Sequence, residues 1–283
     1  MQKARCVRWS SVDDLARSFD LERRFLDRLS TRIEAFEHGV AYLDEEYRTR
    51  YNSNFLLVDD NLEEVPADAL LDAAERILGD AGYEHREVGV NDDRDGERLA
   101  PAFAAHEYTV DRSVTMVHRR GPDREADLPV EELSFADVRP LIHEMYRREP
   151  GLSEETAHLL ADQHGKYERV IGARFFAARV DGQLAGDCEL WVDGRDALVE
   201  NVGTLEEYRG RGVARAVVLR AVAAARAVGA RDVFIVADEA DWPKELYQRL
   251  GFDRIGRTWQ FLRWPEGTDE RTAASRRREP TES

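Results

Sequence analysis

Arg209-Gly210-Arg211-Gly212-Val213-Ala214 stands between a β-prone run and an apolar helical run. Residues 198–204 favour a strand, and residues 213–228 carry Ala and Val at the i, i+3, i+4, i+7 spacing of a buried helix face. A strand that enters a helix through a glycine turn leaves the first N–H groups of that helix without intrahelical partners. Glycines let the backbone approach an anion closely and the arginines add positive charge, so the loop predicts a phosphate site. A helix begun by such a turn can also be plain structure.

The segments after this helix continue the alternation of strands and helices. Gly229 is a typical helix end, and residues 232–237 have the composition of a buried strand. Asp241 can cap a short helix, and Pro243 stands in the first turn, where proline is tolerated. The predicted order is strand, anion loop, helix, strand, helix, strand.

Two motifs in this order resemble the GNAT superfamily of acyl-CoA-dependent N-acyltransferases. Arg209-x-x-Gly212-x-Ala214 is similar to the pyrophosphate loop of that family, and Leu246-Tyr247-x-x-Leu250-Gly251-Phe252 is similar to its C-terminal helix. The resemblance covers about residues 131–263. It implies an α/β (α+β) fold in which a mixed central sheet is flanked by helices and two strands splay apart at the acyl-CoA site.

The chemistry implied by the resemblance is acyl transfer from a coenzyme A thioester to an amine, without a covalent enzyme intermediate. Acetyl-CoA would be the cosubstrate, and no metal is expected. The loop would hold the pyrophosphate, and the backbone of the preceding strand would hold the pantetheine arm. The coenzyme-binding residues implied in this way are Val202, Gly203, Thr204, Arg209, Gly210, Arg211, Gly212, Val213 and Ala214.

An amine attacks only when it is neutral, so a base must accept its proton near neutral pH. Family members place a carboxylate at a site comparable to that of Glu200, whose apolar neighbours would raise its pKa if that face is buried. Glu200 is therefore the candidate base, although it could be an exposed carboxylate at a strand edge. Glu189 on the preceding strand, or water, could take the proton instead.

Tyr247 matches the tyrosine with which the family stabilises the leaving thiolate. It could also be an aromatic anchor that packs the last helix on the sheet, and the two roles are compatible. The asparagine that family members often carry before this tyrosine is replaced by Ala240, so that coenzyme contact is in doubt. Trp191, Trp242 and Trp259 could line a cleft or belong to the core.

The length of 283 residues suggests two domains. In the first half we expect a helix at 12–29, strands at 54–59 and 87–90, a helix at 67–78, a turn at 91–96, a helix at 97–105 and two strand-like runs ending near Val117. Because this order resembles the second half, we expect an internal duplication with a degenerate first copy. The predicted units are 1–120 (N-terminal domain), 121–130 (linker), 131–264 (catalytic domain) and 265–283 (disordered tail).

Residues 59–66 precede the first-half helix and carry four acidic side chains and no glycine. Like charges repel a pyrophosphate, so the first half is expected to complete the core and one wall of the acceptor cleft rather than to bind coenzyme A.

In the second half we expect helices at 135–147 and from Ser153 to about Tyr167, which the resemblance puts beside the acceptor pocket. A hairpin is expected at 173–192.

The formal net charge of -16 gives no basic surface for a nucleic acid, so a small-molecule or peptide amine fits better as a partner. Cys6 and Cys188 are expected to be free thiols, and His158 and His164 are too far around a helix to share a metal. Without a signal-like or membrane-spanning apolar run, the expectation is a cytoplasmic monomer or homodimer with no membrane contact.

Three functions remain open on the sequence. The leading hypothesis is an N-acetyltransferase that acts on an unidentified amine. The alternative is a non-catalytic acyl-CoA-binding sensor or regulatory protein. A nucleotide enzyme is disfavoured because the loop lacks the Gly-Lys-Ser/Thr of a P-loop and the spacing of Gly-x-Gly-x-x-Gly.

Overall fold

The computed structural model describes residues 11–59 and 65–268. The described elements are α1 (Ser11–Leu29), β1 (Arg32–Phe36), β2 (Gly39–Leu43), β3 (Phe55–Val58), α2 (Ala67–Ala74), β4 (Arg86–Val90), α3 (Asp93–Ala105), β5 (Thr109–His118), β6 (Val130–Leu133), α4 (Phe135–Arg147), α5 (Glu154–Ile171), β7 (Arg174–Val180), β8 (Gln183–Asp193), β9 (Asp196–Thr204), α6 (Val213–Ala227), β10 (Asp232–Asp238), α7 (Pro243–Arg249) and β11 (Phe252–Arg263). Cys6, most of the acidic loop at 59–66 and most of the predicted tail lie outside the described residues. Within the described part of the chain, no helix combines the length and the apolar character needed to cross a membrane.

The described strands form one 11-stranded sheet in the order β1-β2-β3-β4-β11-β5-β10-β9-β8-β7-β6. β3 runs parallel to β4 and β9 runs parallel to β10, with a helix joining each pair, while the other neighbours are antiparallel. The predicted mixed sheet flanked by helices is therefore confirmed.

The last strand of each half lies within the other half of the sheet. β5 pairs with β10, β11 pairs with β4, and β5 and β11 pair with each other at the centre. The core under α6 accordingly contains Val114 and Met116 of β5, and the core under α2 and α3 contains Trp259 and Phe261 of β11. The division at residues 121–130 stays a prediction, but the sheet and both cores extend across it.

The two faces of the sheet carry different helices. On β9 and β10, Val199 and Ile235 belong to the core with α6, whereas Leu198 and Phe234 belong to a cluster with α1 and α5. Alternate residues of a strand point to opposite faces, so α6 lies on one face and α1 and α5 on the other.

Helix caps and turns in the second half follow the predictions. Ser153 accepts a hydrogen bond of 3.0 Å from the Thr156 N–H, and α5 ends at Gly172 with a left-handed φ of 68°. α4 has the predicted bounds, and the predicted hairpin is β7 and β8. At α7 the prediction was partly wrong, since Trp242 holds the cap position and Asp241 accepts the Trp242 N–H at 2.8 Å.

Three predictions for the first half were wrong in detail. The two expected runs near Val117 are one ten-residue strand, β5. The turn expected at 91–96 is already helical from Asp93, because the Asp92 carboxylate accepts the Asp95 N–H at 2.9 Å. The helix expected at 67–78 is α-helical only to Ala74 and then becomes a π-helical turn, Glu75–Gly79.

Candidate functional site

The loop before α6 enters the helix through two left-handed glycines and without a side-chain cap. Gly210 and Gly212 have left-handed φ values of 73° and 85°, and Gly212 is the cap residue of α6. In the described chain, no side chain accepts a hydrogen bond at this cap. Arg209, Gly210 and Arg211 are exposed, and Arg211 pairs with Asp181 at 3.0 Å. The N-terminus of α6 thus has no side-chain cap that would compete with an anion, and anion binding at this loop stays a prediction.

Buried contacts hold this loop against the rest of the fold. Arg215, in the first turn of α6, donates to Asp123 Oδ1 at 2.6 Å and to the Arg124 carbonyl at 3.0 Å. A Cβ on Gly186 would lie 2.4 Å from the Gly203 carbonyl oxygen and 2.6 Å from a Val213 methyl carbon. Only glycine at position 186 lets β8, β9 and the start of α6 pack this closely.

β9 separates from β10 in front of the loop. Their parallel ladder ends at Val199 and Ile235, although β9 continues to Thr204. A bulge in the β8–β9 pairing begins after Glu200, where Asn201 has a left-handed φ of 51°. Residues 201–204 of β9 therefore do not pair with β10. This separation is the splay of two neighbouring strands that the family resemblance implied. Val202, Gly203 and Thr204 border this gap.

Tyr247 lies on α7 and is 5% exposed, within the core that contains α6. Its ring centroid is 6.2 Å from that of Phe252. Burial, with smaller effects from Cys188 and Glu200, raises the pKa of Tyr247 well above its usual range. The hydroxyl is therefore protonated at neutral pH and can act as a hydrogen-bond donor. Cys188 is a free, fully buried cysteine whose thiol pKa burial also raises.

Glu200 is half-buried and lines a cavity of about 400 Å³. Burial, then the charges of Glu22 and Glu189, raise the pKa of Glu200 to about 8. The Asn201 backbone N–H donates to this carboxyl and opposes the shift. The exposed strand-edge interpretation of Glu200 is thus disfavoured.

Glu189, the reserve candidate base, is fully buried and already engaged. One carboxylate oxygen pairs with His164 Nδ1, and the other accepts the Trp191 indole N–H at 2.6 Å. Tyr146 contacts the other nitrogen of His164 at 3.0 Å, and Arg50 donates to the Tyr146 hydroxyl at 2.8 Å. Burial alone would lower the pKa of His164, but Tyr146 and Glu189 raise it to about 9. Glu189 therefore holds a buried network together.

The cavity beside Glu200 lies on the face of the sheet that α1 and α5 cover, and both halves of the chain line it. Its aromatic wall includes Phe25, Tyr167 and Trp191, with ring centroids 5.3 Å apart for Phe25–Trp191 and 4.9 Å for Tyr167–Trp191. Trp259 also lines it, whereas Trp242 is 44% exposed and does not. The resemblance implied walls from α4 and α5, but in the described chain the helical lining comes from α5 and α1. Sequence reasoning missed α1, since nothing in its pattern distinguishes it from an ordinary amphipathic helix.

The two histidines considered for a metal lie in different surroundings. His164 is in the buried network, whereas His158 is exposed beside His143, with ring centroids 3.9 Å apart. Potential ligand atoms of His143, Glu154 and His158 lie within 4.8 Å of one another. The spacing of His158 and His164 alone could not reveal this cluster, because His143 comes from α4.

Comparison with known proteins gives one family and several similar folds. Residues 172–254 match the family model of the acetyltransferase (GNAT) domain. A functionally unknown conserved protein from Staphylococcus epidermidis is 17% identical with a TM-score of 0.67, over 83% of this chain and 94% of that one. A GCN5-related N-acetyltransferase from Kribbella flavida is 15% identical with a TM-score of 0.63, over 89% and 96%. A tandem GNAT protein from the clavulanic acid biosynthesis pathway is 16% identical with a TM-score of 0.54, over 80% and 78%. No curated protein matches the chain.

Proposed function

We propose that this protein transfers an acetyl group from acetyl-CoA to an amine of a small-molecule or peptide acceptor. The match of residues 172–254 to the GNAT acetyltransferase model and the similarity of the fold to a tandem GNAT protein support this proposal. The observation that carries the proposal is the uncapped start of α6 at Gly212, which follows a strand that has separated from its neighbour. The open amides suit a diphosphate and the gap suits a thioester arm.

The coenzyme would be held mainly by backbone groups. Its pyrophosphate accepts hydrogen bonds from the N–H groups of Gly212, Val213 and Ala214, with Arg209 and Arg211 supplying charge. The pantetheine arm pairs with the free edge of residues 202–204. The thioester then reaches through the gap between β9 and β10 toward the cavity.

Glu200 is the proposed general base. The acceptor nitrogen loses a proton to this carboxylate, attacks the thioester carbonyl carbon, and forms a tetrahedral intermediate directly. With a pKa of about 8, the carboxyl is mainly protonated at neutral pH in the free protein, and a nearby ammonium group favours its ionised form. Because Glu189 is engaged by His164 and Trp191, it is the weaker candidate.

Tyr247 is the proposed donor to the leaving group. As the intermediate collapses, the carbon–sulfur bond breaks and the sulfur receives the hydroxyl proton or a hydrogen bond from it. The products are an N-acetylated amine and free coenzyme A. The acetylated nitrogen loses a second proton, which replaces the one that Tyr247 gave to the sulfur, and Glu200 releases the first proton to solvent, so that the enzyme regains its starting protonation.

Two measurements test this function in order. Acetyl-CoA at a hundred times its Kd should stabilise the protein by about 2.7 kcal/mol, whereas ATP and NAD should not. A screen of amines with acetyl-CoA, followed by thiol release, should then reveal turnover. Stabilisation without turnover on any amine would favour the non-catalytic acyl-CoA binder, and no stabilisation would exclude both functions.

A further inference from the structure

One face of α1 forms a wall of the cavity beside Glu200. Phe19, Glu22, Phe25, Leu26 and Leu29 line the cavity at the three- and four-residue spacing of a single helix face. Glu22 is the acidic residue on this face, and its charge raises the pKa of Glu200. The two carboxyl groups therefore lie close enough to interact.

The other charged groups that line the cavity already have partners. Arg23 pairs with Asp59, and Arg50 donates to Tyr146. Asp44 accepts from Lys166 at 2.8 Å with both oxygens, and Asp238 accepts the Ala240 N–H at 2.7 Å.

Glu22 and Glu200 differ from Arg23, Arg50 and Asp44, which pair with side chains. Across residues 11–59 and 65–268, neither carboxyl forms a salt bridge with a cationic side chain. The same holds for Asp238, but Asp238 is exposed, whereas Glu22 and Glu200 are half-buried. Burial raises the pKa of Glu22 to about 7. Two such carboxyls in one cavity favour either protonation or a ligand that brings two positive charges.

The cavity that these two carboxyls line also has aromatic rings in its wall. The Trp191 ring packs against both Phe25 and Tyr167, and all three side chains line the cavity. Methylene groups pack well against such rings, and an ammonium group over a ring face gains a cation–π interaction. The walls thus fit an alkyl spacer between two cationic ends.

We propose that the acceptor is an amine with a second cationic group on an apolar spacer, and that Glu22 binds this second group while the attacking nitrogen faces Glu200. The assignment of the attacking nitrogen rests on the acetyl transfer proposed above. Glu22 is then a specificity residue, contributed by a helix outside the segment that matches the family.

The experiment compares 1,6-diaminohexane with hexylamine, which has the same spacer and a single amine. Isothermal titration calorimetry should show that the wild-type protein binds the diamine at least about tenfold more tightly than hexylamine. A factor of about ten in Kd is what one hydrogen bond to a charged group usually contributes. Glu22→Gln should remove this preference and leave hexylamine binding unchanged. Asp20→Asn is the matched control, because it removes the same charge from an exposed position on the same helix.

Turnover gives the second readout. With acetyl-CoA, Glu22→Gln should raise the KM for the diamine about tenfold with little change in kcat, and Glu22→Asp should retain part of the preference. Equal affinity of the wild type for both amines, or an unchanged preference in Glu22→Gln, would overturn the role of Glu22 even if acetyl transfer occurs. Glu22-dependent diamine binding without transfer to any amine would support the cation site and refute the proposed reaction.

Discussion

Exchanging Gly212 for aspartate tests directly whether a diphosphate binds at the start of α6. Gly229, beyond the other end of the same helix, offers a matched position, since the φ values are 85° and 88°. At neither glycine would an added Cβ meet a described atom within 4 Å, apart from its chain neighbours. Gly229→Asp therefore introduces the same charge and a similar backbone strain, about 1–2 kcal/mol, far from the loop.

The expected loss of affinity follows from Coulomb's law. In Gly212→Asp the new carboxylate lies beside the amides that would bind the pyrophosphate. Two like charges about 4 Å apart repel by about 1 kcal/mol in water, and the exposure of Arg209 to Arg211 makes this the appropriate value. Two phosphate charges then weaken acetyl-CoA binding by about 2 kcal/mol, or about thirtyfold in Kd.

The helix dipole gives the two variants opposite effects on the free protein. A carboxylate stabilises a helix N-terminus by about 0.3–1 kcal/mol and destabilises a C-terminus by a similar amount. Gly229→Asp should therefore have the lower Tm, while Gly212→Asp should have the weaker coenzyme binding. Calorimetry with acetyl-CoA at low and high salt measures this, and salt should reduce the difference. Indistinguishable Kd values for the two variants would mean that the diphosphate does not bind at this loop.

Three further perturbations test the proposed chemistry and the fold. Burial and neighbouring carboxylates raise the pKa of Glu200 in the free protein to about 8. The kcat/KM for a weakly basic amine should therefore rise as the ionised fraction of Glu200 grows from roughly a tenth at pH 7 to roughly nine-tenths at pH 9. Glu200→Gln should react more slowly and should not show this rise. If Glu200→Gln keeps the wild-type rate and the wild-type rise with pH, Glu200 is not the base. The same shift makes stability depend on pH, because the unfolded chain ionises Glu200 near pH 4.5 and the folded chain only near pH 8. The stability that Glu200 contributes is therefore lost as the pH rises from 4.5 to about 8. Urea titrations of the wild type and Glu200→Gln at pH 5 and pH 9 measure this loss in the free energy of unfolding. Tyr247→Phe should lower kcat by about tenfold or more with an unchanged acetyl-CoA Kd, whereas Tyr108→Phe, which removes another buried tyrosine hydroxyl, should leave kcat intact. Phe261→Ala should destabilise the whole chain by about 3–5 kcal/mol, since this β11 side chain is fully buried in the first-half core; separate unfolding of the two halves in urea would contradict the shared sheet.

Local structure around the proposed coenzyme site follows from residues that are neighbours in the sequence. The glycines at 210 and 212 impose the turn, the apolar spacing of α6 defines its buried face, and Ser153 caps α5 through a residue three positions away. Such features depend on backbone preference and periodicity, which are present before any tertiary contact forms.

Features that join distant parts of the chain depend on the tertiary structure alone. No local pattern indicates that β5 and β11 enter each other's half, because a strand carries no mark of its partner. The engagement of Glu189 by His164 and the approach of Glu22 to Glu200 likewise join residues 25 or more positions apart. The sequence by itself therefore determined the glycine turn before α6 and indicated, through short motifs that resemble the family, the proposed coenzyme loop and the candidate acid and base. Only the packing of both halves and α1 around one sheet decided which carboxylate is available and what lines the cavity beside Glu200, because burial and charge pairing depend on the folded chain as a whole.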